Sequence, residues 1–165
     1  MPAAMGVEEC GEQLRQRFPA LFGGAPKPLK LRIQADIQAR APGVFAKAVL
    51  SAFLRRHTGR TGYLIALSRA PQRVDLDGAP AGEIAAEHRQ AALDELARRR
   101  AQQSVREDEL REQRRRRAEL LRAYESSPLS AANFCALKGI AEQALPALLE
   151  LARRERAQMP PRGRG

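Results

Sequence analysis

The sequence predicts a mainly α-helical fold with one small antiparallel β-hairpin, followed by a long helix and a small helical hairpin. Three observations carry the prediction. Apolar residues recur at helical spacing through much of the 165-residue chain. Two short apolar runs, residues 63–67 and 74–76, flank a stretch whose Pro71 favours a turn, the pattern of a hairpin. A strongly charged segment then runs from Asp94 to Tyr124 without glycine or proline.

Residues 8–18 form a first helix, with Leu14 and Phe18 apolar, and Pro19 ends or bends it. The segment 22–28, rich in glycine and proline, is a loop. Leu29, Ile33 and Ile37, four apart, mark a second helix from Leu29 to about Arg40. Pro42 suits the opening turn of a third helix over 43–57. That helix carries Phe45, Val49, Ala52 and Phe53 on one side, and Lys47, Ser51 and Arg55 one above the next on another.

The hairpin follows and packs on the helices, because a lone hairpin is marginal in water. It places Tyr63 opposite Arg73, a hydroxyl and a guanidinium that can hold a nucleotide's sugar and phosphate. Asp77-Gly78 and Pro80-Ala81-Gly82 make a second reversal. A helix begins near Glu83, with Ile84, His88, Ala91 and Ala92 near its buried side.

Residues 97–126 read as an exposed helical connector with Glu107/Arg111 and Glu112/Arg116 pairs. Its apolar stripe lapses before Leu120, so a coiled coil is not supported. Ser127-Pro128 starts a small helical hairpin over 127–157. Its first helix, 130–138, turns Phe134 and Leu137 inward and ends at Gly139. Its second, about 143–157, buries Leu145, Leu148, Leu149 and Ala152. Residues 158–165 read as a disordered tail whose Arg162 and Arg164 can add weak, nonspecific contacts to an anionic partner. The main domain spans 8–96.

Charge narrows the function. The chain carries a net +10 with pI near 10.9, so an anionic partner is expected. Between Lys30 and Arg73 stand nine basic residues and a single acid, Asp36. A solvated face mixes both signs, and this one does not, which suits a phosphate-tracking surface. With aromatics at 4% and no Trp, a large sheet-based stacking platform is not expected. Cys10 and Cys135 have no metal-ligand spacing and read as reduced thiols. The start lacks a signal-peptide pattern and no stretch reaches the length of a membrane span, so a cytoplasmic protein is expected. Asp75 and Asp77 read as turn-stabilising carboxylates rather than metal ligands. His57 and His88 have no nucleophile at a recognisable spacing, and His88 reads as packed and hydrogen-bonded; catalysis is not expected.

Residues 18–96 resemble the ProQ/FinO domain, a family of bacterial RNA chaperones. The resemblance lies in FPALF (18–22), PLKLRIQADI (28–37), TGYLIAL (61–67), RVDLDG (73–78) and the arrangement of Gly82, Glu83 and His88. It implies a mostly helical fold with a small hairpin, and post-transcriptional regulation through binding of structured RNA. The partners it implies are small regulatory RNAs and mRNA 3′ regions, held as a terminator-type hairpin with a single-stranded 3′ tail. It implies a concave basic face that needs no metal or cofactor. Separately, no membrane partner is expected, and a monomer is expected. Lys30, Lys47, Arg55, Tyr63 and Arg73 match residues the family uses on its RNA face. Ser51 departs from the pattern where relatives often carry a base, and Arg32, Arg56 and Arg60 are the further basic candidates, with Arg56 or Arg60 able to compensate.

Two other classes remain open from the residues alone. The helix, glycine turn and helix of 131–152 resemble a DNA-binding helix-turn-helix, although Ala-Leu-Pro-Ala-Leu offers little to base edges. A protein-interaction adaptor would use the long charged helix instead.

Overall fold

The computed structural model describes residues 4–160, and the chain divides into two compact units, Met1–Arg100 and Ala101–Gly165. In the first, α1 (Val7–Arg17) opens with Glu8 and Glu9 and closes with Arg15 and Arg17, charges that complement the helix dipole. Pro19 then opens a single turn, α2 (Pro19–Phe22). Three helices follow: α3 (Ile33–Arg40), α4 (Lys47–Thr58) and α5 (Thr61–Arg69). Strands β1 (Gln72–Val74) and β2 (Pro80–Glu83) pair antiparallel, and α6 (Ala86–Ser126) begins in this unit.

One core unites them. Leu14, Leu21, Ile37, Leu50 and Tyr63 are buried together with Phe22, Phe53, Leu76 and Ile84. Gly11 of α1 faces the Phe53 ring of α4 so closely that a Cβ there would stand 2.6 Å from it. The hairpin turn is held by Asp75, whose Oδ1 accepts the N–H groups of Asp77 and Ala79, with Gly78 at φ 82°.

Several boundaries differ from the sequence reading. Residues 61–69 are helix, not strand. A strand would bury 63, 65 and 67 on one face; instead Tyr63 and Leu67, four apart, are buried and Ile65 is exposed. The hairpin is therefore shifted along the chain, with Pro80–Glu83 as its second strand and α6 delayed to Ala86.

The second helix begins at Ile33 because the preceding backbone is otherwise engaged. Leu29 forms a parallel bridge with Val74, the Lys30 N–H donates to the Val74 carbonyl, and the Val74 N–H donates to that of Pro28. The third helix begins at Lys47, after a turn in which Gly43 takes φ 73° and Phe45 reaches the core.

In the second unit, Leu121, Phe134, Cys135, Leu145, Leu149 and Ala152 form a small core shared by α6, α7 (Ala131–Lys138) and α8 (Leu145–Gln158). A 3-10 turn, Glu142–Ala144, leads into α8. The helix cap is Ser130, whose side chain accepts the Asn133 N–H, rather than Ser127. Gly139 ends α7 in the left-handed conformation, as expected. Leu137 is 71% exposed, not inward; Cys135 takes the inward place beside Phe134, and Leu148 is only half-buried. Arg117 grips Glu155 and Arg156 grips Glu125, each through two hydrogen bonds. The Glu112/Arg116 pair forms, whereas Arg111 pairs with Asp108 instead of Glu107. Arg162 and Arg164 lie outside the described residues. Among the described residues, no helix is long and apolar enough to cross a membrane.

Candidate nucleic-acid interface

The segment leading into α3, the first residues of α3 and the C-terminal half of α4 line an open groove of about 300 Å³. Leu54, Arg55 and Thr58 line it from α4, Tyr63 from α5, Arg73 from β1, residues 29–32 from the segment before α3, and Ile33 and Gln34 from α3 itself. Five of the eight predicted site residues thus meet there: Lys30, Arg32, Arg55, Tyr63 and Arg73.

Tyr63 and Arg73 do not oppose each other across a hairpin, since Tyr63 is helical. They converge on one residue. The Tyr63 hydroxyl accepts the Leu29 N–H at 3.2 Å, and Arg73 Nη1 donates to the Leu29 carbonyl at 2.9 Å. Both side chains are buried, so they form the wall of the groove and hold its backbone. The second guanidinium nitrogen, Nη2, meets His88 Nδ1 at 3.0 Å; Nε is buried without a partner among the described residues. Arg73 makes no ion pair among them.

Exposed charge completes the groove. Arg55 and Arg32 are exposed, and neither forms an ion pair among the described residues. Arg32 is the one non-glycine residue there with positive φ, at 60°, directly before α3. Lys30 is half-exposed and bonds Asp36 at 2.6 Å, so the single acid of this basic stretch offsets one of its cations. Arg40 is likewise compensated by a two-bond pair with Asp77. That pairing holds the Asp77 carboxyl below its ordinary range, through the hydrogen bond first and then Arg40's charge.

The other three predicted residues stand elsewhere. Lys47 is exposed in the first turn of α4 and does not line the groove. Its carbonyl accepts from Gln34, which also takes a hydrogen bond from Ser51, so the departure at Ser51 ties α4 to α3. Arg56 and Arg60 line a separate hollow of about 670 Å³ between α1 and α4, together with Glu8, Glu9, Glu12 and Arg15. His57 borders that hollow too. Its ring stacks on Phe53 and meets Phe22 and Tyr63 edge-on. Burial, then the charges of Arg60 and Arg15, pushes its pKa down and favours the neutral ring.

Sequence reasoning missed Gln34 and Thr58 as lining residues and His88 as the partner of Arg73. Only the His88 spacing after the hairpin hinted at its position. Among the described residues, no three His, Cys, Asp or Glu side chains gather as metal ligands do.

The ProQ/FINO family model matches residues 5–109. RNA chaperone ProQ of Aliivibrio salmonicida (strain LFI1238) is 36% identical over 100 residues, covering 58% of this chain and 48% of that protein. RNA chaperone ProQ of Shewanella oneidensis is 39% identical over 79 residues, covering 46% of this chain and 37% of that one. The chain therefore spans less than half the length of these curated relatives. A solved FinO-like RNA chaperone from Neisseria meningitidis MC58 shows 29% identity and a TM-score of 0.44, over 52% of this chain and 88% of the other. With its family match extending over more than half of its residues, from α1 well into α6, this chain belongs to the ProQ/FINO family.

Proposed function

We propose that this protein is an RNA chaperone and post-transcriptional regulator that holds structured RNA on the groove of its first unit. The ligands are small regulatory RNAs and mRNA 3′ regions, presented as a terminator-type hairpin with a single-stranded 3′ tail. The observation that carries this reading is the convergence of Lys30, Arg32, Arg55, Tyr63 and Arg73 on one groove. The two curated relatives named RNA chaperone ProQ support it.

The physics suits such a ligand. An A-form duplex hides its base edges in a deep major groove, so proteins grip its backbone and shape. Exposed Arg32 and Arg55 supply that grip, and counterion release supplies much of the free energy. Arg32, Ile33 and Gln34 line the groove where α3 begins, so the positive end of a helix dipole lies at its edge. That end, beside Lys30, suits a phosphate of the unpaired tail. Recognition of this kind uses no catalysis, metal or cofactor, and a cytoplasmic monomer suffices.

Equilibrium binding of the whole chain to a hairpin RNA with a 3′ tail, the same hairpin cut blunt, and duplex DNA tests the reading. The tailed hairpin binds tightest. Arg55→Ala, which removes an exposed side chain with no bonded role among the described residues, weakens all RNA binding and lowers the salt slope by about one. Wild-type affinity and slope in Arg55→Ala and Arg32→Ala overturn the groove as the site. A preference for duplex DNA favours the α7–α8 pair instead.

A further inference from the structure

Three arginines that join separate elements of this protein meet a carboxylate, Arg40 with Asp77, Arg117 with Glu155 and Arg156 with Glu125, while Arg89 reaches across to the Ser68 and Ala70 carbonyls and Arg99 to the Gly59 carbonyl and Thr61 Oγ1. Arg73 is the most buried of them, and its partners are a carbonyl and an imidazole. A guanidinium only donates, so His88 Nδ1 must accept, which places the ring in its neutral form with the proton on Nε2. His88 is the third residue of α6 and itself exposed, and it meets the terminal guanidinium nitrogen that Leu29 does not use. Two neutral acceptors thus fix the plane of the guanidinium while leaving its charge uncancelled. A carboxylate would hold it at least as firmly, since charge-assisted bonds are stronger. It would also remove the positive field from the groove wall.

We propose that His88 is a positioning residue for RNA binding: a neutral acceptor that orients Arg73 in the groove wall and preserves its charge for an RNA phosphate. This rests on the groove being the RNA site. The role belongs to the imidazole's neutrality as much as to its geometry, and it makes α6 a contributor to a groove it does not line.

The test uses two near-isosteric substitutions in the full chain, His88→Asn and His88→Asp. Both place an acceptor oxygen near the position of Nδ1, and they differ in charge alone. Affinity for a tailed hairpin RNA is measured across salt concentrations, and each variant is melted thermally. The inference predicts that His88→Asn stays within about twofold of wild type, as expected when one neutral hydrogen bond replaces another. His88→Asp melts no lower than His88→Asn, helped by an acid in the first helical turn. Yet it binds RNA about tenfold more weakly, with a salt slope reduced by about one, the mark of a cancelled phosphate contact. In an Arg73→Gln background the difference between the two variants collapses.

Equal RNA affinity for the two variants overturns the proposal, and so does an Asp penalty undiminished in the Arg73→Gln background. If Arg73→Gln itself binds RNA as wild type does, the groove reading fails first, and the inference with it. Should Arg73→Gln not fold, the salt slopes of the Asn and Asp variants decide alone.

Discussion

Removing one oxygen, in Tyr63→Phe, separates a structural role from direct RNA contact. The ring stays, and with it the edge-on contact to His57 at 5.6 Å. The acceptor for the Leu29 N–H disappears, and Leu29 is buried, so that donor is left without water or partner. A stranded buried donor costs about 1–3 kcal/mol. For a unit of about this size each kcal/mol lowers the melting midpoint by roughly 4–8 °C. Differential scanning calorimetry therefore shows the transition of the first unit falling by at least about 4 °C at the lower end of that range. Amide exchange at Leu29 accelerates in parallel. RNA affinity, measured well below the melt, changes little, because Arg73 still holds the Leu29 carbonyl. The opposite pattern, an unchanged melt with a sharp loss of RNA affinity, would return the hydroxyl to the ligand.

Two further outcomes follow from the core. His57 has its pKa pushed below the ordinary histidine value by burial and by Arg60 and Arg15. Between that lowered value and about 6.5 the unfolded chain binds more protons than the folded one. Its contribution to stability is therefore present above about pH 6.5 and is lost as pH falls toward the folded pKa; urea melts from pH 7.5 to 5.5 show it, and His57→Phe flattens the decline. A decline as steep in His57→Phe would remove this residue as its cause. Gly11→Ala pits two effects against each other: a helix gains about 1 kcal/mol from Ala over Gly, but overpacking costs about 1–3 kcal/mol. The added Cβ meets the Phe53 ring at 2.6 Å, and that ring is flanked by Phe22 and His57, so it cannot swing aside freely. Net destabilisation in urea is expected, and a more stable variant would contradict the packing of α1 on α4.

The helical character, the hairpin and the long charged helix were legible in the sequence because they rest on periodicity and composition. The run YLIAL was not, since five consecutive residues without a polar break satisfy either period. Only the core decides, by taking Tyr63 and Leu67 and leaving Ile65 to solvent. The early starts assigned to the second and third helices failed for a related reason. Leu29 fits the four-residue spacing of Ile33 and Ile37 but is claimed by Val74, forty-five positions on, which no local pattern records. One-signed charge between Lys30 and Arg73 pointed to the stretch that supplies most of the groove lining, and local reading went no further. It did not foresee that Asp36 and Asp77 would engage Lys30 and Arg40, nor that Arg56 and Arg60 would line a different hollow beside the acids of α1.

Leu29 has its amide hydrogen and its carbonyl oxygen each clasped by a groove side chain. The surface that would meet a ligand is thereby written into the folding reaction itself. Loosening of residues 29–34 dissolves the recess at once, and whatever fills the recess resists that loosening. A ligand present at a hundredfold excess over its dissociation constant adds about 2.7 kcal/mol to the native state by mass action. Occupancy and foldedness of the first unit are, on this account, two readings of a single equilibrium.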